Sequence, residues 1–123
     1  MATMQKVFLT IWVLLLSAAA SAAEDQSSGT YWLSLCGQKQ NDYACAYYIN
    51  GLVDGLTMAV TETSLVTRGD AHKVYGYCPP VSASVGDMKA VFIKYLNDHP
   101  ENRKYTGASL ALDAWRKAWP CNK

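Results

Sequence analysis

The stretch Asp42–Thr63 reads DYACAYYINGLVDGLTMAVTET, and the spacing of its apolar residues indicates the fold class. Apolar residues recur in it at spacings of three and four, which places them on one face of an amphipathic helix. Asn41 and Asp42 supply a start signal, so the sequence predicts a helix over residues 42–63. The predicted buried face consists of Cys45, Tyr48, Ile49, Leu52, Val53, Leu56, Ala59 and Val60.

Two glycines, Gly51 and Gly55, interrupt this helix. Each costs about 1 kcal/mol of helix propensity relative to alanine. We therefore expect the backbone of another element to pack closely against the strip that they form; the alternative is that the helix simply tolerates both glycines.

Helix signals also occur on both sides of this stretch. Thr30 is the predicted cap of a short helix that runs through Cys36. Ser84 and Asp87 form a capping-box pattern, and the helix that they open ends before Pro100.

The last predicted helix begins at Thr106 or Ser109 and stops at Pro120. No run of residues alternates between apolar and polar for long, so no strand is predicted. The predicted fold class is therefore all-α, a small four-helix bundle with three long helices and one short helix.

The N-terminal residues 1–22 resemble a secretory signal peptide rather than part of the bundle. Lys6 gives a positive start, an apolar run follows from Phe8 to Ala20, and Ala20-Ser21-Ala22 fits the cleavage rule. The apolar run of about 13 residues is shorter than the roughly 20 that a membrane span requires. We expect a cleaved leader, a periplasmic protein and one domain over residues 23–123.

The composition of the chain excludes several classes of protein. The chain has 123 residues, 50% hydrophobic and 17% charged, with a formal net charge of +1. These values exclude disorder and collagen. Loss of Lys6 with the leader leaves no net charge, so a nucleic-acid-binding surface is not indicated.

All four cysteines, Cys36, Cys45, Cys78 and Cys121, follow the leader. An even number in a small exported domain predicts two disulfides, with three possible connectivities. Helix order favours Cys36 with Cys45 and Cys78 with Cys121, because a helical hairpin would bring these ends together. The alternative pairs Cys45 with Cys78 and Cys36 with Cys121. No cysteine pair has zinc-finger spacing, so no metal is expected.

The segment Ser64–Ala83 carries no helical pattern and contains Gly69, Gly76, Pro79 and Pro80. Unstructured connections of this length in compact domains are functional or disordered. We therefore expect a long loop here. Tyrosine and arginine are residue types that anchor protein interfaces. The candidate partner-binding residues are Arg68, His72, Lys73, Tyr75 and Tyr77.

The tyrosines allow a second interpretation, in which Tyr75 and Tyr77 fold the loop back onto the bundle. Both interpretations stay open at this point. No catalytic constellation is visible elsewhere: His99 lies at a predicted helix end, where an imidazolium is favourable, and Asp54 is a surface or structural carboxylate. Paired cysteines leave no thiolate, so we expect neither an enzyme nor a cofactor.

Four elements in order resemble motifs of the Tai/Rap immunity proteins. They are residues 45–55 (CAYYINGLVDG, similar to C-x-x-Y-I-x-G-x-x-D), residues 78–80 (CPP, similar to C-x-P), residues 95–101 (YLNDHPE, similar to Y-L-x-x-H-P-E), and the closing ASLAL at 108–112 with WPC at 119–121. The resemblance covers Tyr31–Cys121, which is nearly all of the chain after the leader.

The resemblance implies a periplasmic all-α homodimer that binds a peptidoglycan amidase effector of the type VI secretion system. It also implies inhibition by covering the active-site cleft of the amidase. The matching motifs look like scaffold and name no contact residues. The segment Ser64–Tyr77 lies between them, and we place the inhibitory surface there as a hypothesis. A small periplasmic chaperone or stress protein and an envelope adaptor with no toxin partner are the alternative functions.

Overall fold

The computed structural model describes residues 25–121, and in that range it contains five α-helices and no β-strand. The predicted all-α fold class is confirmed. Short 3-10 turns precede α2 and follow α4, and an isolated bridge joins Ser28 to Thr106. The helices are α1 (Gly29–Cys36), α2 (Asp42–Thr67), α3 (Ala71–Tyr75), α4 (Val85–Asp98) and α5 (Gly107–Ala118). The predicted leader, residues 1–22, lies outside the described residues.

The number of helices differs from the prediction, because the segment Ser64–Ala83 is not one long loop. Helix α2 continues to Thr67, and α3 adds a fifth, five-residue helix. Asp70 caps α3 by accepting a hydrogen bond from the backbone N–H of His72 at 3.1 Å. Gly76 ends α3 in the left-handed conformation, with φ 66.

Side-chain caps set the starts of three longer helices. Ser28, and not Thr30 as predicted, caps α1 by accepting from the N–H of Tyr31 at 3.3 Å. Ser84 and Asp87 form the predicted reciprocal capping box of α4. Thr106 caps α5, as expected.

The hydrophobic core lies where α4 and α5 pack against α1 and the first half of α2. Its largest fully buried side chains are Trp115, Phe92, Ile49, Leu96 and Leu110. The Trp115 Nε1–H donates to the carbonyl oxygen of Met88 at 3.0 Å, so the indole has a partner in the core. Burial of each such side chain is worth roughly 1.5–3 kcal/mol, which makes this cluster the main source of stability.

Two disulfides connect the ends of the helices. Cys36–Cys45 joins α1 to α2, and Cys78–Cys121 joins the segment before α4 to the segment after α5. This is the connectivity that helix order favoured, and it excludes the alternative pairing.

The expectation for Gly51 and Gly55 is wrong. A Cβ added at either position would meet no atom within 4 Å, so both glycines lie on an open face of α2. Tight approaches occur instead at Gly29, where a Cβ would overlap Leu110, and at Gly107, where a Cβ would overlap Trp32 and the Tyr48 hydroxyl. The Trp32 and Tyr48 rings stack there with centroids 3.4 Å apart.

Candidate partner-binding surface

The end of α2 and the short helix α3 form a helical hairpin, which we define as residues 60–77. Val60 and Ala71 are buried between its two arms, outside the main core. The Ser64 Oγ accepts from the N–H of Ala71 at 3.3 Å, and the Tyr75 hydroxyl lies 3.2 Å from Thr63 Oγ1. Side-chain hydrogen bonds therefore hold α3 against α2.

The turn of the hairpin has an unusual backbone. Arg68 directly follows α2 and adopts the left-handed conformation, with φ 53 and ψ 33. Among the described residues it is the only non-glycine residue with a positive φ. L-amino acids are disfavoured there, because Cβ approaches the following carbonyl oxygen too closely. Such outliers motivate functional hypotheses.

The hairpin also exposes large apolar side chains. Leu65 is 69% exposed, Val66 81% and Val74 71%. The sequence did not indicate these three residues as contacts, because the segment from Ser64 was predicted to be a loop. Continuing the α2 periodicity past Val60 would have placed Thr63 and Ser64 on the packed face and left Leu65 and Val66 exposed on a longer helix. Contiguous exposed apolar surface is typical of interaction sites, and single exposed residues are not.

Contacts with the bundle hold the hairpin in place. Arg116 of α5 donates from Nε to the carbonyl oxygen of Tyr75. His72 Nδ1 lies 3.2 Å from the carbonyl oxygen of Tyr77, a distance at which a protonated Nδ1 donates. The Cys121 Sγ lies 3.2 Å from the carbonyl oxygen of His72. The Cys78–Cys121 disulfide therefore lies at the base of the hairpin.

The five predicted partner-binding residues have different surroundings. Arg68, His72 and Lys73 are exposed on the hairpin, and Tyr75 is half-buried with its hydroxyl beside Thr63. The hairpin thus exposes two basic side chains, Arg68 and Lys73, that lie within three residues of exposed apolar ones in the sequence.

Tyr77 does not belong to this surface. It is 5% exposed, its hydroxyl donates to the Met88 sulfur at 3.6 Å, and its ring lies 5.8 Å from that of Trp115. Burial raises the pKa of Tyr77 above its usual value. Its assignment as a contact residue is corrected: Tyr77 packs the segment onto the bundle, as the second interpretation described.

A second apolar surface runs along the exposed face of α2. Tyr43 is 80% exposed, Tyr47 73% and Met58 63%. Their spacings of four and eleven residues place them on one face. The open Gly51 lies between them in sequence.

The other residues weighed for chemistry form no reactive group. His99 lies between two side chains, with Nδ1 3.1 Å from Glu101 Oε1 and Nε2 3.1 Å from Lys117 Nζ. Asp54 is exposed on α2. Residues 25–121 contain no group of three His, Cys, Asp or Glu side chains that could hold a metal ion, and all four cysteines are in disulfides. Within the same range, every helix is too short or too polar to cross a membrane.

The chain is thus a small all-α domain that contains two disulfides. It exposes two apolar surfaces, one on the hairpin and one along α2. The family model of the Rap1a immunity proteins matches residues 28–121. The chain belongs to the Rap1a immunity protein family, which confirms the resemblance drawn from the four motifs. Comparison with curated proteins and with solved structures gives no match.

Proposed function

We propose that this chain is a periplasmic immunity protein that binds a peptidoglycan amidase effector of the type VI secretion system. Family membership supports an immunity role against an effector of this system. The motif resemblance adds the amidase as the specific target. Two disulfides fit an oxidising compartment such as the periplasm, and they fit the predicted signal peptide.

Inhibition by occlusion requires a surface that fits a cleft, and it requires no catalytic group. The hairpin carries this proposal, because it exposes Leu65, Val66 and Val74 next to Arg68 and Lys73. Arginine is enriched among interface hot spots, and contiguous exposed apolar surface is typical of interaction sites. A protein interface of standard size buries about 800 Å² on each partner, so the hairpin would form its centre and neighbouring bundle residues its rim.

The exposed face of α2 supports the proposed homodimer. Tyr43, Tyr47 and Met58 form an apolar stripe on a helix of 26 residues. The open glycines on the same helix would let the backbones of two copies approach. Light scattering on the purified protein tests this proposal, and Tyr43→Ser with Tyr47→Ser should shift a dimer towards monomer.

The main test is co-purification of the oxidised protein with an amidase effector whose gene neighbours its own, followed by a peptidoglycan hydrolysis assay. We expect a stoichiometric complex that no longer hydrolyses peptidoglycan. A folded, disulfide-bonded protein that leaves hydrolysis unchanged would refute the proposal.

Two surface variants assign the inhibitory surface. The hairpin variant replaces Leu65, Val66 and Val74 by serine, and the matched α2 variant replaces Tyr43, Tyr47 and Met58 by serine. We expect the hairpin variant to lose inhibition and the α2 variant to keep it at saturating concentration. The reverse pattern would move the inhibitory surface to α2.

A further inference from the structure

The two arms of the hairpin end in the same backbone conformation with different residues. Helix α3 ends at Gly76 with φ 66, where glycine carries no steric cost. Helix α2 ends at Arg68 with φ 53, where an L side chain is disfavoured. Glycine is the usual residue at such a position, and Arg68 is the exception within this hairpin.

No contact within residues 25–121 explains the arginine. Its side chain makes no hydrogen bond and no ion pair with any described residue, and it is exposed at the turn. The arginine thus stands where the fold alone would favour glycine. A side chain that makes no contact within the fold, in a conformation that costs the fold free energy, points to a role in binding something outside the chain.

We infer that Arg68 is the residue of the hairpin that enters the partner, where its guanidinium pairs with a carboxylate at an otherwise apolar site. The apolar part of this recognition comes from Val66 on α2 and Val74 on α3, which are 81% and 71% exposed. A guanidinium binds a carboxylate through two parallel hydrogen bonds, which a lysine ammonium cannot reproduce. The inference rests on the proposed function, since it specifies how that partner is recognised.

The test uses four variants of the full, oxidised chain. Arg68→Gly relieves the left-handed backbone and removes the charge, and Arg68→Gln removes the charge alone. Arg68→Lys keeps the charge and the backbone but loses the paired donors. Lys39→Gln is the matched control, because it removes an exposed cation just before the opposite end of α2.

We expect opposite effects on stability and on binding. Arg68→Gly should raise the melting temperature by up to about 4 °C, while affinity for the neighbouring amidase falls about 30-fold. Arg68→Gln should lose the same affinity with an unchanged melting temperature. Arg68→Lys should lose about 10-fold, and Lys39→Gln should change neither quantity.

The results distinguish a failure of the Arg68 inference from a failure of the proposed function. If the wild-type chain binds the amidase and Arg68→Gly and Arg68→Gln bind equally well, the inference is wrong and the proposed function stands. If Arg68→Gly lowers the melting temperature, the fold does use this side chain, which also overturns the inference. If the folded wild-type chain binds no amidase, the proposed function itself fails.

Discussion

The bundle buries its large apolar side chains, whereas the hairpin exposes side chains of the same types. In the bundle, Leu110 is 1% exposed, whereas Leu65 of the hairpin is 69% exposed. The bundle is closed by both disulfides, and the hairpin is held by hydrogen bonds to α2 and α5. The comparison indicates that the free energy of unfolding depends mainly on the bundle, and recognition depends on the hairpin.

A leucine-to-alanine substitution should change the free energy of unfolding much more in the bundle than in the hairpin. Leu110→Ala removes a fully buried side chain, and we expect the free energy of unfolding to fall by about 2–5 kcal/mol. Leu65→Ala should change it by at most about 0.5 kcal/mol and should weaken amidase binding. Urea unfolding followed by circular dichroism measures the first quantity, and calorimetry measures the second. Equal losses of unfolding free energy in the two variants would contradict the conclusion that stability depends mainly on the bundle.

Removal of either disulfide should affect the bundle and the hairpin to different extents. Loop entropy predicts a loss of about 4 kcal/mol without Cys78–Cys121, whose sequence separation is 43, and about 2.6 kcal/mol without Cys36–Cys45, whose separation is 9. Double alanine variants compared by guanidinium unfolding test the order. The Cys78–Cys121 variant should also lose more amidase affinity, because this bond lies at the base of the hairpin. A larger loss of affinity from the other pair would contradict the anchoring role.

Two glycines on the bundle helices should respond with opposite signs. Gly107→Ala would push Trp32 away from Tyr48, so we expect a loss of about 1–3 kcal/mol. Within one chain Gly51→Ala meets open space, so it should stabilise the monomer by roughly 0.5–1 kcal/mol through helix propensity. Thermal unfolding of both variants at a concentration where the chain is monomeric measures these two changes, and destabilisation of the monomer by Gly51→Ala would contradict the prediction.

The smallest effect concerns the capping box of α4. Two hydrogen bonds from Ser84, one from its hydroxyl and one from its backbone N–H, lower the pKa of Asp87 below its ordinary value of 3.8. The resulting stabilisation is present above pH 3.8 and is lost as the pH falls through the lower folded pKa. Ser84→Ala should raise the pKa of Asp87 towards 3.8, as measured by NMR titration of the carboxyl carbon. An unchanged Asp87 pKa in this variant would refute the assignment.

The bundle was largely predictable because its signals are local. The capping residues Ser84 and Thr106 predicted the starts of α4 and α5. The order of all the helices favoured the observed disulfide connectivity. Both kinds of signal depend on residues that lie close together along the chain or at the ends of helices.

The hairpin was not predictable, because tertiary contacts form it. A five-residue helix has little stability alone, and α3 exists because Ala71 is buried against α2. Asp70 and Gly76 were visible as its cap and its stop, but a segment this short shows no periodicity. The burial of Tyr77 beside Trp115 depends on helices far away in sequence, so its role could not be decided from the sequence alone.

Hydrogen exchange of the complex would show whether the hairpin is the surface that contacts the amidase. Backbone amides of the oxidised chain are compared with and without a neighbouring amidase effector that it inhibits. We expect new protection in residues 64–76, including Arg68, and unchanged exchange in α4 and α5. Protection confined to α4 and α5, with the hairpin exchanging as in the free protein, would show that the inhibitory surface is not the hairpin.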